Sequence, residues 1–217
     1  LDASSDTLIL KNDHSYKYYE YYNDIFPSKN FLVLAVKSKD EIDNKYIENI
    51  NIIKNKINKV KGVESTFSIV DAPILLLNNL SLSDLSNKEI QNINNSDYNL
   101  SSILFEFSNS PIFKDQIINS KKNVSSIIIY IEKNELFENL KKERKKEIID
   151  IQSYQKINKN YKSEKYKDNI KKEKLILDIR NILINQNNNY QYFLGGIDMI
   201  ASDTINFIKN DIIIFSF

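Results

Sequence analysis

The sequence predicts an α+β domain built from two β-α-β units, and three observations predict it. Short apolar runs of strand length, FLVLAVK (Phe31 to Lys37) and VESTFSIV (Val63 to Val70), flank a longer helical stripe. The same strand–helix–strand order recurs in the second half, between Val124 and Gly195. Length fits the class: 217 residues suit one domain or two small ones and can bury a real core.

The elements follow in order. Residues 1–13 are polar, and Asp2 to Asp6 offer several turn and cap side chains. HSYKYYEYYNDIF (His14 to Phe26) carries five tyrosines. Tyr18, Tyr21, Tyr22 and Ile25 share a helical face, so the segment reads as a short helix packing aromatics on the domain. The lysines beside them are too few for a base-stacking platform. Pro27-Ser28 breaks the chain. Phe31 to Lys37 reads as a buried strand. A helix over 41–61 follows, capped by Ser38 or Asp40, with Ile42, Tyr46, Ile50, Ile53, Ile57 and Val60 on one stripe. Gly62 closes it. The alternating strand Val63 to Val70 completes the first unit, 31–70.

Asp71-Ala72-Pro73 ends that strand. Ile74, Leu75, Leu76 and Leu77 form a short apolar helix or line a cleft; ordinary core packing explains each of them too. Residues 83–99 read as a loop with a short helix near Lys88 to Ile93. Ser101 to Phe107 fits helix or strand, and Asn109-Ser110-Pro111 a turn. Gln116 to Glu132 reads as a β-hairpin, its strands Gln116 to Asn119 and Val124 to Ile131 joined by Ser120 to Asn123. From 135 to 186 the pattern is helical almost throughout, loosening at Asn158 to Ser163. That gives an insertion over 136–162, then a crossover helix over 163–186. Asn187 to Asn189 turns the chain into a last strand, Tyr190 to Gly196. The second unit is therefore 124–195. Two such units with antiparallel additions form a ferredoxin-like, split β-α-β arrangement with an inserted helical hairpin.

Leu194 to Phe217 begins at Gly195-Gly196 and continues as an amphipathic helix through Ile197, Ile200, Ala201, Ile205, Ile208 and Ile212. It then turns apolar on every side, in IIIFSF. Two readings fit: a longer apolar helix that continues past this chain, or a C-terminal core helix with an apolar tail. Nothing reaches the roughly 20 apolar residues of a membrane span.

Charge is balanced, 30 Lys and Arg against 29 Asp and Glu. No global field favours nucleic acid. Locally, Lys141 to Lys174 hold 13 Lys/Arg against 6 acids. A soluble interaction module could use that region, 136–186, against an acidic partner or an anionic membrane, with Lys141, Lys142, Arg144 and Lys145 at its head. In so lysine-rich a chain a solvated face explains it more simply. The absence of Cys excludes disulfides and thiolate sites. A single His14 excludes a multi-histidine metal site. There is no glycine-rich phosphate loop, G-x-S-x-G or H-E-x-x-H pattern. The acid pairs Asp2/Asp6 and Asp198/Asp203 are explained by capping. The chain therefore reads as a non-enzyme with neither metal nor cofactor.

Four stretches together resemble a known family. LDASSDTLIL, then YYEYYNDIF and FLVLAV, resembles the segment after the first membrane helix of resistance–nodulation–division (RND) superfamily exporters, in their MMPL-like branch. Lys61-Gly62-Val63 with Ser68 to Pro73 is similar to that family's first β-α-β ending. Ser110-Pro111-Ile112-Phe113 and the hairpin resemble its next segment. Tyr192 to Ile200 and Asn206 to Asp211 resemble its approach to the second membrane helix. Asp198 stands where the family often has proline, and Lys122-Asn123 replaces its Asp-Gly turn.

The resemblance implies an extracytoplasmic, porter-like domain over 1–193 and, over 194–217, a linker helix and the start of a transmembrane helix. The localisation it implies is a bacterial inner membrane, with this segment facing the periplasm. The function it implies is proton-driven export of hydrophobic or amphiphilic compounds or lipids. Its partners would be that substrate, the membrane through flanking helices, and further copies in a homo-oligomer. Ile74 to Leu77 are the candidate cleft lining, and Gly195, Gly196 and Asp198 the candidate hinge. The family's proton-relay carboxylates lie in membrane helices, and none is assigned here.

Overall fold

The computed structural model describes residues 13–26, 29–78, 90–145, 150–186 and 189–215. The LDASSDTL opening, Pro27-Ser28, the first two residues of the helix expected over Lys88 to Ile93 and the final Ser216-Phe217 lie outside the described residues; Ile90 to Ile93 are described and are not helical. In chain order the elements are α1 (His14–Ile25), β1 (Phe31–Lys37), α2 (Asn44–Ile57), β2 (Val63–Ser68), α3 (Leu100–Asn109), β3 (Val124–Ile131), α4 (Glu135–Lys145), α5 (Ile151–Ile184), β4 (Gln191–Gly195) and α6 (Ile197–Phe215).

The two most apolar runs, β1 and β3, occupy the middle of a four-stranded sheet of order β2-β3-β1-β4. Every neighbouring pair is antiparallel. Residues of one parity build the core side: Leu34 lies between Ile127 and Leu194, and Leu32 beside Ile129. Leu32, Leu34, Val36, Ile127 and Ile129 are fully buried there. Alternate residues Val33 and Ala35, on the other face, are only half-buried. Helices α2 and α5 supply the second layer, through Tyr46, Ile50, Ile53 and Ile57 from one and Leu175, Ile176 and Ile179 from the other. Each buried isoleucine or leucine contributes roughly 2–3 kcal/mol by leaving water.

Local chemistry explains several boundaries. The carboxylate of Asp43 accepts from the Tyr46 amide at 2.8 Å, so α2 starts there and not at Ser38 or Asp40. Tyr46 Oη donates to the Val36 carbonyl at 2.6 Å and accepts from the Ser125 amide at 3.1 Å. One hydroxyl thereby ties α2 to both central strands. Burial pushes its pKa up to about 12. Ser101 to Phe107 is helical, with Asn99 capping α3.

Four expectations are corrected. Gln116 to Asn119 does not extend as a strand: β2 takes that edge of β3 from Ile127 onward, which leaves one antiparallel bridge, Ile118 to Ser125, with the Asn119 amide donating to the Val124 carbonyl and the Ser126 amide to the Ile117 carbonyl. Its apolar residues Ile117 and Ile118 enter the core instead. Lys122, at φ 53°, and the Asn119 side chain, which accepts from the amides of Asn123 and Val124, close that loop. The pattern does not break at Asn158 to Ser163. Helix α5 runs through, so the expected insertion and crossover share one helix. Strand β2 stops at Ser68, where the Asp71 carboxylate accepts from both the amide and the hydroxyl of Ser68. Finally, the α1 tyrosines do not pack on the domain: Tyr18, Tyr19, Tyr21 and Tyr22 are exposed. Tyr18 and Tyr22 pack on each other instead, their rings tilted and their hydroxyls 3.0 Å apart.

Candidate functional site at the junction of the long and terminal helices

The chain leaves the sheet at Gly195-Gly196, and the two glycines differ. Gly196 has φ 147°, where side chains rarely go. A Cβ there would meet Leu32 Cδ2 at 2.7 Å and the Phe31 carbonyl at 3.2 Å. At Gly195 the nearest atom would be 4.0 Å away. Only Gly196 is required for α6 to start against the edge of β1.

Ionic contacts then hold α6 to α5. Lys172 Nζ lies 3.0 Å from Asp198 and 3.2 Å from Asp168. Burial pulls the Lys172 ammonium down, but the two carboxylates together outweigh it and keep its pKa above the usual lysine value. Arg180 grips Asp203 with two parallel bonds of 3.0 and 2.7 Å. Those bonds hold the Asp203 carboxyl below its ordinary range. Asn206 donates to Glu173 at 3.0 Å. Asp198, expected as a cap or first-turn residue, stands in the first turn of α6 and also latches that helix to α5.

The latch continues into α4. Asn134 caps α4 by accepting from the Phe137 amide at 3.1 Å, and its amide nitrogen donates to Glu164 and Asp168. The Asn134 bond is the main cause that lowers the Glu164 pKa, with Lys167 adding to it. Asp168 thus links α4 and, through Lys172, α6. No group of three or more metal-ligating side chains occurs among the described residues. The arrangement holds no nucleophile beside a base; what it can do is fix the direction in which α6 leaves the domain.

The other expected site is a strap. Ile74 is fully buried in the core. The amides of Leu75, Leu76 and Leu77 all donate to the carboxylate of Glu106, at 2.7, 3.0 and 3.0 Å. Tyr98 Oη donates to the Leu77 carbonyl at 2.9 Å. Leu76 is 70% exposed. Nearby, Asn44, Ile93, Ser96, Tyr98, Leu100 and Ile103 line an open hollow of about 510 Å³ whose walls do not include these four residues. Glu106 was missed as a fastening residue. Its signal is one acid on the face of Ile103, Leu104 and Phe107, where burial demands partners.

Ile212 to Phe215, at the end of α6, are all exposed. No described helix is long and apolar enough to cross a membrane. No protein-family model, curated protein or solved structure matches the chain.

Proposed function

We propose that the chain is an extracytoplasmic, porter-like domain of an RND-type exporter of hydrophobic or amphiphilic compounds or lipids, facing the periplasm of a bacterial inner membrane. The observation that carries the reading is the strand order β2-β3-β1-β4 with α2 and α5 as its two crossovers. We read that order as the ferredoxin-like one, the fold the family resemblance implies. The way out of the domain supports it as well: β4 passes through Gly196 directly into α6, which ends in exposed Ile212, Ile213, Ile214 and Phe215.

In this reading α6 is the linker between the domain and a membrane helix. The α5–α6 latch then makes domain and linker move as one body, so a tilt of the membrane part becomes a displacement of the sheet. The proton-coupled step belongs to the membrane helices. The chain's own residues contribute the apolar surface along which substrate passes and the stiffness of the connection.

The coding sequence on either side of the chain tests this directly. A run of about 20 apolar residues is expected before Leu1 and another completing the apolar end after Asp211. Polar sequence on both sides overturns the proposal.

A further inference from the structure

Helix α5 sorts its charges by side. Between Ile151 and Lys174 it has three acids, and none is exposed. Glu164 and Asp168 are buried, and half-buried Glu173 accepts from Asn206. In the same span Lys156, Lys159, Lys162, Lys167, Lys171 and Lys174 are all exposed. At 1.5 Å per residue this cationic face, Lys156 to Lys174, is about 27 Å long. Apolar side chains lie along its middle. Tyr166 and Ile170 are 67% and 47% exposed, and Leu177 and Ile184 extend the line at 50% and 75%. Their spacings of four and seven residues keep them on one stripe. Helix α4 lacks this sorting, because Glu135 and Glu143 are exposed beside Lys142. The cationic face is therefore narrower than the basic region of the sequence.

We propose that the outer face of α5 docks on the surface of an anionic lipid bilayer. The rest of the helix is committed to the sheet, to α4 and to α6, so among the described residues the outer face is the one left to a partner. Lysine stems and the Tyr166–Ile170–Leu177 stripe enter the headgroup boundary while the ammonium groups reach lipid phosphates. An acidic protein would call on the lysines alone and leave the central apolar stripe without a role. The inference does not rest on the exporter reading, and its test needs no membrane helix.

The 217-residue chain is sedimented with vesicles of phosphatidylcholine alone and with vesicles rich in phosphatidylglycerol. Binding is expected only to the second. It is expected to disappear when salt shortens the Debye length to about 3 Å. Reversing Lys159→Glu, Lys162→Glu and Lys174→Glu together should weaken binding by about fivefold per residue. Ile170→Ser should weaken it while keeping the salt dependence. Lys45→Glu, Lys61→Glu and Lys121→Glu, an equal charge change at exposed sites elsewhere, should bind as the parent does, and circular dichroism checks that each variant is folded. Equal binding to neutral vesicles overturns the proposal, as does an equal loss in the control variant. Binding to polyglutamate without binding to vesicles also overturns it, and assigns the face to an acidic protein.

Discussion

Along α2, Tyr46, Ile47, Ile50, Ile53 and Ile57 are buried, and one tyrosine hydroxyl completes the attachment to the sheet. Along α5, which is more than twice as long, the aliphatic residues that reach the core are Leu175, Ile176 and Ile179. Tyr161 stacks on Phe137 of α4, and its other inward positions include polar ones: Glu164 and Asp168 face Asn134, while Lys172 and Arg180 face α6. The two crossovers cover the same side of the sheet by different chemistry. Burial fixes α2 as part of the core, with no dependence on pH near neutrality. Charges let α5 hold two other helices without a large apolar face, at a strength that pH and salt can change.

Substitutions can break this comparison, beginning with the largest effect. Ile50→Ala, which empties a fully buried site on α2, should cost about 3–4 kcal/mol in urea unfolding. A cost under about 1 kcal/mol would mean that α2 is not the core helix. Gly196→Ala should cost about 2–3 kcal/mol, because Leu32 and the Phe31 carbonyl stand where the new Cβ must go. Gly195→Ala should stay within about 0.5 kcal/mol. Equal costs would remove the distinction between the two glycines. Tyr46→Phe should cost about 1–2 kcal/mol, since the Val36 carbonyl loses a buried donor.

The junction of α5 and α6 gives the smallest effect and the one that varies with pH. Arg180→Met should cost about 0.5–1 kcal/mol at neutral pH. Asp203 has a folded-state pKa below its unfolded value. Its contribution is therefore present above the ordinary carboxylate pKa of about 3.9 and is lost as pH falls through the folded value. The difference between parent and Arg180→Met should shrink in acid. Lys172 has the opposite sign. Its raised pKa makes the contribution complete below the unfolded lysine value and lost as pH rises through the folded one. Stability curves measured from acid to alkaline pH should thus narrow the Arg180→Met gap at the acid end, while the gap between parent and Lys172→Met should narrow at the alkaline end. The cost of Ile50→Ala should stay constant across the same range.

Much of the fold was legible in sequence because its signals are periodic. β1, β3, α2 and α6 stand close to where apolar spacing puts them. The failures share a cause. Gln116 to Asn119 has strand-like residues, but β2 takes the same edge of β3 from Ile127 onward, so its pairing stops at one bridge. Tyr18 and Tyr22 share a helical face, yet packing on the domain is a relation between distant parts of the chain that spacing does not carry. Of the site, Gly196 and Asp198 were visible as a turn and a cap. Their partners Leu32 and Lys172 were not, because no local pattern names a contact across 26 or more residues.

By itself the amino-acid sequence determined the class, the order of the strands and helices along the chain, and the absence of cysteine and glycine-loop chemistry. These depend on residue type and on spacings of two and of three or four, which every window of the chain carries. Tertiary structure alone decided which strand pairs with which, that Glu106 holds the amides of Leu75 to Leu77, and that α5 hides its acids and exposes its lysines. Those outcomes depend on which surfaces compete for burial and for buried hydrogen bonds, and that competition exists only once the chain has folded.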